Sequence, residues 1–243
     1  MDLGISLHSK RGGGAGIQAD LKAFNALGTF GTSAITCLTA QNPSEVRGIL
    51  AVTPAMVTLQ MEAISAGFRV AAAKTGMLYS TAIIEAVART IKRRRIPWLV
   101  VDPVMIATSG ARLLRRDAGR ALCNRLLPLA DVITPNLPEA EVLCSHAIGN
   151  LRDMESAARE IGTRYRAACV VKGGHLPGQT VTDVLYHSGH IYSFRSARLQ
   201  VATHGTGCMF SAALTALLAR GVDLPEAIRG AKRYVHGVLE RQL

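Results

Sequence analysis

The segment at residues 203–208 reads Thr-His-Gly-Thr-Gly-Cys, and it runs directly into Met-Phe-Ser-Ala-Ala-Leu-Thr-Ala-Leu-Leu-Ala-Arg at residues 209–220. The second stretch is apolar enough to predict a buried helix. Glycines at 205 and 207 permit backbone torsions closed to other residues, so successive N–H groups can turn toward one point ahead of that helix. Together with the positive end of the helix dipole, these groups predict an anion site.

Cys208 falls in the first turn of the predicted helix, where a thiol tends to have a lowered pKa. Two interpretations are open here. In one, the Gly-Thr-Gly turn cradles a phosphate and Cys208 is reactive; in the other, the glycines only cap or bend the chain and Cys208 is a packing residue. A short glycine motif is a weak indication by itself. Other segments therefore have to decide.

The composition suits a single α/β domain over residues 1–243, with 49% hydrophobic residues available for a core. Two domains remain an alternative. No run approaches the roughly 18 apolar residues of a membrane span, and the start is no secretory signal, so we expect a cytoplasmic protein without membrane contact. The 5 cysteines are odd in number and scattered, which favours reduced thiols over a disulfide framework.

The net charge of +11, from 28 Lys and Arg against 17 Asp and Glu, raises the question of nucleic acid. The charge is mostly dispersed. Its densest run, residues 92–95, ends a predicted helix, where positive charge has an ordinary electrostatic explanation. Because no recognised nucleic-acid motif accompanies the charge, we expect a solvated basic surface and no nucleic-acid partner.

Strand and helix patterns alternate along the chain. Helices are predicted at 17–27, 55–66 after Pro54, 81–94, 117–127, 150–164, 209–220 and 225–239, with another entered from the turn at 135–139. Strands are predicted at 32–39, 70–74, 98–101, 132–134 and 168–172, with a hairpin of 181–186 and 190–194 around Ser188-Gly189. This alternation implies right-handed βαβ units and a mostly parallel sheet covered on both faces.

Functional groups follow several predicted strands, at the edge where open α/β sheets bind ligands. The expected set is Gln41, Met77, Asp102, Asn136, Glu139 and Lys172, with the turn at 205–207. Taken singly, each of these residues also has a structural explanation: Met77 could be a core residue and Lys172 a solvated strand end. The same holds for Asp20 in the first predicted helix, which could lie on an exposed helix face. Asn136 and Glu139, three residues apart, suit a helix cap.

A set of motifs spans nearly the whole chain in a fixed order. It comprises Gly-Gly-Gly-Ala-Gly-Ile-Gln-Ala-Asp-Leu-Lys at 12–22, Thr-Ala-Gln-Asn at 39–42, Lys-Thr-Gly-Met-Leu at 74–78, Asp-Pro-Val-Met at 102–105, Thr-Pro-Asn-Leu-Pro-Glu-Ala at 134–140, Val-Lys-Gly-Gly-His at 171–175 and Thr-His-Gly-Thr-Gly-Cys at 203–208. Together the motifs resemble the hydroxymethylpyrimidine/phosphomethylpyrimidine kinases of thiamine biosynthesis. The resemblance implies a ribokinase-like three-layer α/β/α fold, a homodimer, and transfer of a phosphoryl group from ATP, with Mg²⁺, to a pyrimidine alcohol or its monophosphate.

The resemblance also implies how the pyrimidine is held. It assigns Asp20 and Gln41 to the ring nitrogen and amino group, and Met77 and Val104 to apolar walls. Gln41 is the best single assignment, because an amide offers both the donor and the acceptor that an aminopyrimidine edge requires.

For the chemistry, the resemblance assigns Cys208 to activating the substrate hydroxyl, at the position where many ribokinase-like enzymes carry Asp; a thiolate could act as the base. Lys172 would neutralise the nucleotide phosphates. The cradle of the transferring phosphoryl group is assigned to Gly205, Thr206 and Gly207, and the organisation of magnesium, directly or through water, to Asp102, Asn136 and Glu139.

The start of the chain departs from the family pattern. Residues 7–11 read Leu-His-Ser-Lys-Arg where the family has Ala-Gly-Ser-Asp-Ser or similar, so His8 replaces a small residue and Lys10 an acidic one. Bulk and reversed charge at these positions would weaken substrate binding and activity, and a misplaced start or frame in this short segment would explain the departure equally well. Two other functions therefore stay open: a pyridoxal/pyridoxine kinase of the same subgroup, whose substrate also carries a hydroxymethyl group on a nitrogen ring, and a pyrimidine-binding protein with weakened catalysis.

Overall fold

A computed structural model describes residues 3–7, 15–42, 45–106, 112–200 and 205–241, the first of these ranges by its backbone alone. The strands are β1 (Leu3–Leu7), β2 (Phe30–Ala34), β3 (Cys37–Gln41), β4 (Val46–Ala51), β5 (Val70–Thr75), β6 (Leu99–Val101), β7 (Val132–Ile133), β8 (Ala168–Val171), β9 (Thr180–His187) and β10 (His190–Ala197). The α-helices are α1 (Ile17–Ala26), α2 (Pro54–Gly67), α3 (Thr81–Arg94), α4 (Gly119–Ala121), α5 (Leu137–Cys144), α6 (Leu151–Tyr165), α7 (Thr206–Ala219) and α8 (Leu224–Glu240).

The main sheet has the strand order β10-β9-β8-β7-β6-β5-β1-β2. Its strands from β8 to β2 are parallel to their neighbours, while β9 and β10 are antiparallel at one edge. The predicted hairpin turn is confirmed: Ser188 and Gly189 both have positive φ, which two-residue hairpin turns favour. The mostly parallel sheet predicted from the alternation of strands and helices is also confirmed.

Helices cover both faces of this sheet, because its central strands bury side chains on both sides. In β6, Leu99 and Val101 lie in one hydrophobic core with α2, α3, α5 and α6, while Val100 lies in another with α7 and α8. This alternation is the period of two that a strand imposes. The three-layer α/β/α architecture is thereby confirmed. Within the described part of the chain, no helix is both long and apolar enough to cross a bilayer.

The prediction of one strand over residues 32–39 is wrong. The chain leaves the main sheet after β2, and β3 pairs with β4 in a separate two-stranded sheet. Between β2 and β3, the Gln60 side chain accepts from the N–H of Ile35 at 2.9 Å and donates to its C=O at 3.0 Å. The Thr36 hydroxyl donates to the carbonyl of Met77 at 2.7 Å. These tertiary contacts hold Ile35 and Thr36 outside both sheets. The local sequence pattern does not predict them. Strand β4 was not predicted at all.

The single helix predicted over residues 117–127 is also wrong. Residues 116–129 form a 3₁₀ turn, the short α4, a π-helical turn and a second 3₁₀ turn. The N–H of Leu127 bonds to the carbonyl of Leu122, five residues back, and Pro128 has no N–H with which to continue an α-helical ladder.

Candidate active site

The carboxyl ends of three neighbouring strands bring Asp102, Thr134 and Lys172 together. Asp102 follows β6, Thr134 follows β7 and Lys172 follows β8. The Lys172 Nζ lies 2.9 Å from Asp102 Oδ1, and the Thr134 hydroxyl donates to the same oxygen at 3.5 Å. The side chains of Asp102 and Lys172 are only 3% and 13% exposed. The two predicted site residues therefore form one largely buried ion pair at the predicted edge of the sheet.

Helix α7 supplies a further hydrogen bond to Asp102. The Ser211 hydroxyl, fully buried, lies 3.2 Å from Asp102 Oδ2. Sequence reasoning missed both Ser211 and Thr134. The available signal was weak: Ser211 and Thr215 are the polar residues in the otherwise apolar run of α7, and Thr215 simply donates to the carbonyl of Ser211.

The glycine-rich turn forms the N-terminus of α7. The helix begins at Thr206, three residues earlier than predicted, so Cys208 is its third residue and lies in the first turn as expected. Gly205 caps the helix with φ 77° and ψ 8°, a left-handed conformation that favours glycine. Gly207 is helical instead, which corrects the expectation that both glycines need unusual torsions. A Cβ at Gly207 would lie 3.2 Å from the Lys172 Nζ, so glycine provides space for the lysine.

Cys208 is buried, and it is one of the groups that raise the pKa of two lysines. The pKa of Lys172 stands above its ordinary value, because Asp102, Glu139 and Cys208 together outweigh burial, which by itself lowers it. The pKa of Lys74 is likewise raised against the effect of burial, and Cys208 is again one of the groups responsible. Cys208 therefore combines a place in the first turn of α7 with an electrostatic interaction with two ammonium groups.

Asn136 and Glu139 form a capping box at the start of α5, which confirms their structural explanation. The Asn136 side chain accepts from the Glu139 N–H at 2.9 Å, and the Glu139 carboxylate accepts from the Asn136 N–H at 3.0 Å. Glu139 is buried, and burial raises its pKa to about 7, with Asp102 adding to the rise and Lys172 opposing it. Two buried carboxylates thus share the charge of one lysine. A cation beside them would offset the remaining repulsion, so this pair of acids suits a divalent metal.

Gln41 lies at the end of β3, on the inward face of the two-stranded sheet, and not at the end of a parallel strand as expected. Its side-chain oxygen is buried and has no hydrogen-bond partner among the described residues. Met77 and Val104 belong to one apolar cluster beside this sheet, with Cys37 and Leu113. A buried unpaired carbonyl oxygen next to an apolar cluster is a polar handle for a ring that carries an amino group.

Asp20 is fully buried on α1, so its interpretation as an exposed helix residue is wrong. Both of its carboxylate oxygens lie 3.0 Å from the Nζ of Lys74 on β5, which is also fully buried. Sequence reasoning assigned no role to Lys74. The signal was a lysine that ends the apolar strand Val-Ala-Ala-Ala-Lys at residues 70–74.

A cleft of about 600 Å³ lies between β10 and α8. Its basic lining residues are Arg195, Arg229, Lys232, Arg233 and His236. Lys232 lies 2.7 Å from Asp183 Oδ2, and the other oxygen of Asp183 accepts the N–H of Gly173, the neighbour of Lys172, at 2.9 Å. The cleft is therefore connected through Asp183 to the strand that carries Lys172.

Comparison with known proteins decides the family. The profile described as phosphomethylpyrimidine kinase matches residues 11–243. The chain belongs to the phosphomethylpyrimidine kinase family. The resemblance inferred from the motifs is thereby confirmed, and with it the ribokinase-like fold, a transferase of the kinase class and a place in thiamine biosynthesis.

Relatives of this phosphomethylpyrimidine kinase family member agree with that assignment. The hydroxymethylpyrimidine/phosphomethylpyrimidine kinase of Rhizobium meliloti is 46% identical over 95% of this chain and 87% of its own length. The thiamine biosynthesis bifunctional protein ThiED of Geobacter sulfurreducens is 45% identical, and there the chain spans 46% of the relative's length. The pyridoxal kinase of Bacillus subtilis, solved as an ADP complex, is 37% identical with a TM-score of 0.89, covering 96% of this chain and 90% of that one.

Some features predicted for this family member lie outside the described residues. They are the atypical positions 8–11, the glycines at 12–14, and Thr203 with His204; of Leu7 only the backbone, in β1, is described. The remaining predicted site residues lie at three places. The first is the α7 N-terminus with Lys172, Asp102 and the capping box of Asn136 and Glu139; the second is the apolar cluster beside Gln41; the third is the buried pair of Asp20 with Lys74.

Proposed function

We propose that this chain transfers the γ-phosphoryl group of ATP to 4-amino-5-hydroxymethyl-2-methylpyrimidine, to its monophosphate, or to both, in the cytoplasm. The observation that carries this proposal is the N-terminus of α7, where Cys208 lies in the first turn and Gly207 adjoins Lys172, itself paired with Asp102. This arrangement combines donors for phosphate oxygens with a group able to accept a proton.

The nucleotide phosphates would lie against the first turn of α7. The N–H groups at the start of a helix have no intrahelical acceptors, and those of Thr206, Gly207 and Cys208 would donate to phosphoryl oxygens. Lys172, whose raised pKa keeps it charged at neutral pH, would neutralise the same phosphates. The basic cleft between β10 and α8, which is linked to the Lys172 strand through Asp183, would hold the rest of the nucleotide.

The transfer itself needs a base only for the alcohol. The hydroxymethyl oxygen attacks the γ-phosphorus, the bond from that phosphorus to the bridging oxygen breaks, and ADP leaves. Cys208, as thiolate, takes the hydroxyl proton and returns it to solvent after the reaction. When the acceptor is the monophosphate, the attacking oxygen is already largely deprotonated near neutral pH, so that reaction depends on positioning alone.

The residues present fit a magnesium ion. Asp102 and Glu139 would supply the carboxylates; burial raises the pKa of Glu139 to about 7, so a cation beside it would favour its ionised form. The amide oxygen of Asn136 is engaged in the capping box, so we assign Asn136 to holding Glu139 and to contact through water. The ion, when bound, would neutralise charge on the phosphoryl oxygens.

The pyrimidine would lie between Gln41 and the apolar cluster of Met77 and Val104. The buried oxygen of Gln41 would accept from the 4-amino group, and its NH₂ group would donate to a ring nitrogen. Met77 and Val104 would contact the faces of the ring. Asp20, which the resemblance assigns to the ring together with Gln41, has no exposed side-chain surface and is paired with Lys74, so we assign the ring contact to Gln41 alone.

The test of this function is magnesium-dependent ADP formation with the hydroxymethylpyrimidine, compared with pyridoxal at equal concentration. We expect the pyrimidine to be phosphorylated with the higher kcat/KM. A preference for pyridoxal would establish the alternative kinase, to which the likeness to the Bacillus subtilis enzyme points. Tight pyrimidine binding without turnover of either compound would establish a binding protein.

We also propose a homodimer joined through the surface of β2, α2 and the two-stranded sheet. Its exposed apolar side chains are Phe30, Leu38, Leu50, Met56, Leu59 and Phe68. Helix α2 carries one charged residue, Glu62, in a chain of net charge +11, so two copies can meet there with little repulsion. In light scattering we expect a dimer that Leu59→Glu converts to a monomer and that Val142→Glu, on exposed apolar surface of α5, leaves intact. A wild-type monomer would contradict this.

A further inference from the structure

The buried ion pair of Asp183 and Lys232 links β9 to α8. The Lys232 Nζ lies 2.7 Å from Asp183 Oδ2, and the side chains of the lysine and the aspartate are only 11% and 8% exposed. Removing two charges from water is costly, and a buried ion pair can often be replaced by apolar residues without loss of stability. Stability alone therefore gives little reason for a charged pair at these two positions.

The other oxygen of Asp183 supplies a further reason. The pairing of β8 with β9 ends at Val171 and Val184. Two residues further along the chain, the N–H of Gly173 donates to Asp183 Oδ1 at 2.9 Å. A side chain of β9 thus continues the attachment of this segment beyond the last paired residues. The attached N–H belongs to the peptide group that directly follows Lys172.

The backbone on both sides of Lys172 is held. A Cβ at Gly173 would overlap the carbonyl oxygen of Thr182 on β9, so glycine is required for this close approach of the two backbones. On the other side, the N–H of Lys172 donates to the carbonyl of Pro135, which follows β7, at 2.9 Å. From this fixed backbone the long lysine side chain reaches Asp102, where the Nζ lies 2.9 Å from Oδ1.

We propose that Asp183 is a positioning residue for Lys172: its carboxylate, held by Lys232, fixes the peptide that follows Lys172 and so holds the ammonium beside Asp102 and the first turn of α7. An ionised carboxylate suits this task because its hydrogen bonds to N–H groups are stronger than those of a neutral acceptor. The proposal rests on the proposed function, in which Lys172 neutralises the nucleotide phosphates. Asp183 would act through Lys172, with no contact to the substrate.

Two double variants separate the hydrogen bond to Gly173 from the charges of the pair. Asp183→Asn/Lys232→Met keeps a side-chain oxygen for the Gly173 N–H, whereas Asp183→Leu/Lys232→Met places an apolar side chain of similar volume there. Neither leaves a buried charge unpaired, as a single substitution would. The two proteins differ only at position 183, in the ability of that side chain to accept a hydrogen bond.

The first measurement is the rate at which acetic anhydride acetylates Lys172, resolved by peptide mass spectrometry without substrates. Loss of the hydrogen bond should release the segment from β9, so we expect Lys172 to react about fivefold or more faster in the leucine double variant than in the asparagine one. Lys92, which is exposed on α3, is the internal control and should react equally in both.

Asp131→Leu is the matched control for a lost bond between a carboxylate and a backbone N–H. Asp131 accepts the N–H of Leu99 at 2.6 Å, at the amino ends of β6 and β7 and so at the opposite edge of the sheet. This variant should acetylate Lys172 at the wild-type rate. A rate as high as in the leucine double variant would show a general loosening of the sheet and would overturn the specific role of Asp183.

The second measurement is steady-state kinetics in an active enzyme. We expect kcat/KM for ATP to be about tenfold lower in the leucine double variant than in the asparagine one, since small misplacements of catalytic groups are costly. The Kd for the pyrimidine should be the same in both. A purely structural role of Asp183 would change both quantities or neither. Equal values of kcat/KM for ATP would overturn the catalytic importance of this positioning.

The outcome separates this proposal from the proposed function. Equal acetylation of Lys172 in the two double variants would overturn the role of Asp183, whether or not the wild-type protein is a kinase. Faster acetylation in the leucine double variant supports that role even if the wild-type protein phosphorylates no pyrimidine, in which case the proposed function alone fails.

Amide hydrogen exchange of the wild-type protein decides the matter if the leucine double variant does not fold. The N–H of Gly173 should exchange at least about tenfold more slowly than that of its exposed neighbour Gly174, because the bond to Asp183 has to open first. Equal exchange rates at the two glycines would overturn the proposal.

Discussion

At the scale of single residues, the proposed recognition of the pyrimidine depends on Gln41. Its buried oxygen has no partner among the described residues, so a ligand amino group would satisfy it. We predict that Gln41→Ala raises the Kd for the pyrimidine tenfold or more, because each group left unpaired costs roughly 1–3 kcal/mol. Binding of an ATP analogue should be unchanged. Calorimetric titration with each ligand measures both.

The matched control for Gln41 is Gln179→Ala, which removes an exposed amide before β9. It should change neither affinity. Unchanged pyrimidine affinity in Gln41→Ala would contradict the assignment of Gln41, and an equal loss for both ligands would indicate damage to the fold rather than to recognition.

The residues that sequence reasoning missed are positioned by tertiary contacts. Ser211 and Thr134 are ordinary polar residues in their own elements. The packing of α7 against β6 brings Ser211 to Asp102, and the pairing of β6 with β7 brings Thr134 there. The local pattern shows Lys74 only as the end of a strand, and its ion pair becomes visible only when α1 brings Asp20 beside it. By contrast, Asp102 and Lys172 were predicted from position alone, because the carboxyl ends of parallel strands meet at one edge.

At the scale of elements, α5 and α8 begin with nearly the same residues: Asn-Leu-Pro-Glu at 136–139 and Asp-Leu-Pro-Glu at 223–226. In both, the first residue caps the helix and accepts from the N–H of the glutamate. Yet Glu139 is buried with a pKa of about 7, while Glu226 is half exposed. Local sequence predicts the cap equally well in both cases, and only the tertiary position makes Glu139 a candidate metal ligand.

This pair of helix starts gives a controlled prediction on pH. Because the pKa of Glu139 is raised in the folded state, the folded protein binds the proton more tightly than the unfolded chain. Stability from this group is present below about pH 4.5 and is lost as pH rises toward 7. We predict that the free energy of unfolding falls by about 1–3 kcal/mol less between pH 5 and pH 8 in Glu139→Gln than in the wild type. Urea unfolding at the two pH values measures this.

Glu226→Gln is the control and should leave the pH dependence of unfolding as in the wild type. Magnesium ions should stabilise the wild-type protein more at pH 8 than at pH 5, because a metal binds the ionised carboxylate. An identical pH dependence in wild type and Glu139→Gln would contradict the raised pKa.

At the start of α7, the lack of a side chain at Gly207 leaves space for the Lys172 ammonium. A Cβ at Gly207 would lie 3.2 Å from the Lys172 Nζ and displace the ammonium. We predict that Gly207→Ala lowers kcat about tenfold, since small misplacements of catalytic groups are costly. Gly119→Ala, where a Cβ meets nothing within 4 Å, should leave kcat unchanged. Wild-type kcat in Gly207→Ala would show that the lysine does not need this space.

Elements with their own caps were predicted well, and elements defined by other parts of the chain were not. Thr53 caps α2 ahead of Pro54, Asn150 caps α6, and both helices begin within a residue of the prediction. The two-stranded sheet was missed because its separation from the main sheet depends on Gln60, which lies 25 residues from Ile35. The irregular segment at 116–129 was missed because a helix-like pattern does not show whether each N–H bonds to the carbonyl three, four or five residues back.

At the scale of the whole molecule, the net charge of +11 invites a test of nucleic-acid binding. Several of the basic groups are already engaged: Arg93 pairs with Glu62, Arg164 with Glu160, and Lys232 with Asp183. We predict no duplex DNA binding below micromolar concentration at physiological salt. Fluorescence anisotropy at two salt concentrations measures this, and a salt-sensitive submicromolar affinity would contradict it.

The proposed function depends on the whole fold, because the sheet edge, the start of α7 and the two-stranded sheet would together form a kinase in which Cys208 is the base for an alcohol acceptor. Each part has a role in this account that the others cannot replace. Lys172 and the helix N–H groups would hold the phosphates, Gln41 would hold the pyrimidine, and the Cys208 thiol would move the proton.

The most direct test is the turnover of Cys208→Ser at pH 8 with each acceptor. The volume of the side chain is almost conserved, but a serine hydroxyl is far harder to deprotonate than a thiol at a helix N-terminus. We predict a loss of roughly 10²- to 10⁴-fold in kcat for the alcohol, a much smaller loss for the monophosphate, and unchanged affinity for pyrimidine and ATP. A folded Cys208→Ser protein that phosphorylates the alcohol at the wild-type rate would contradict the account.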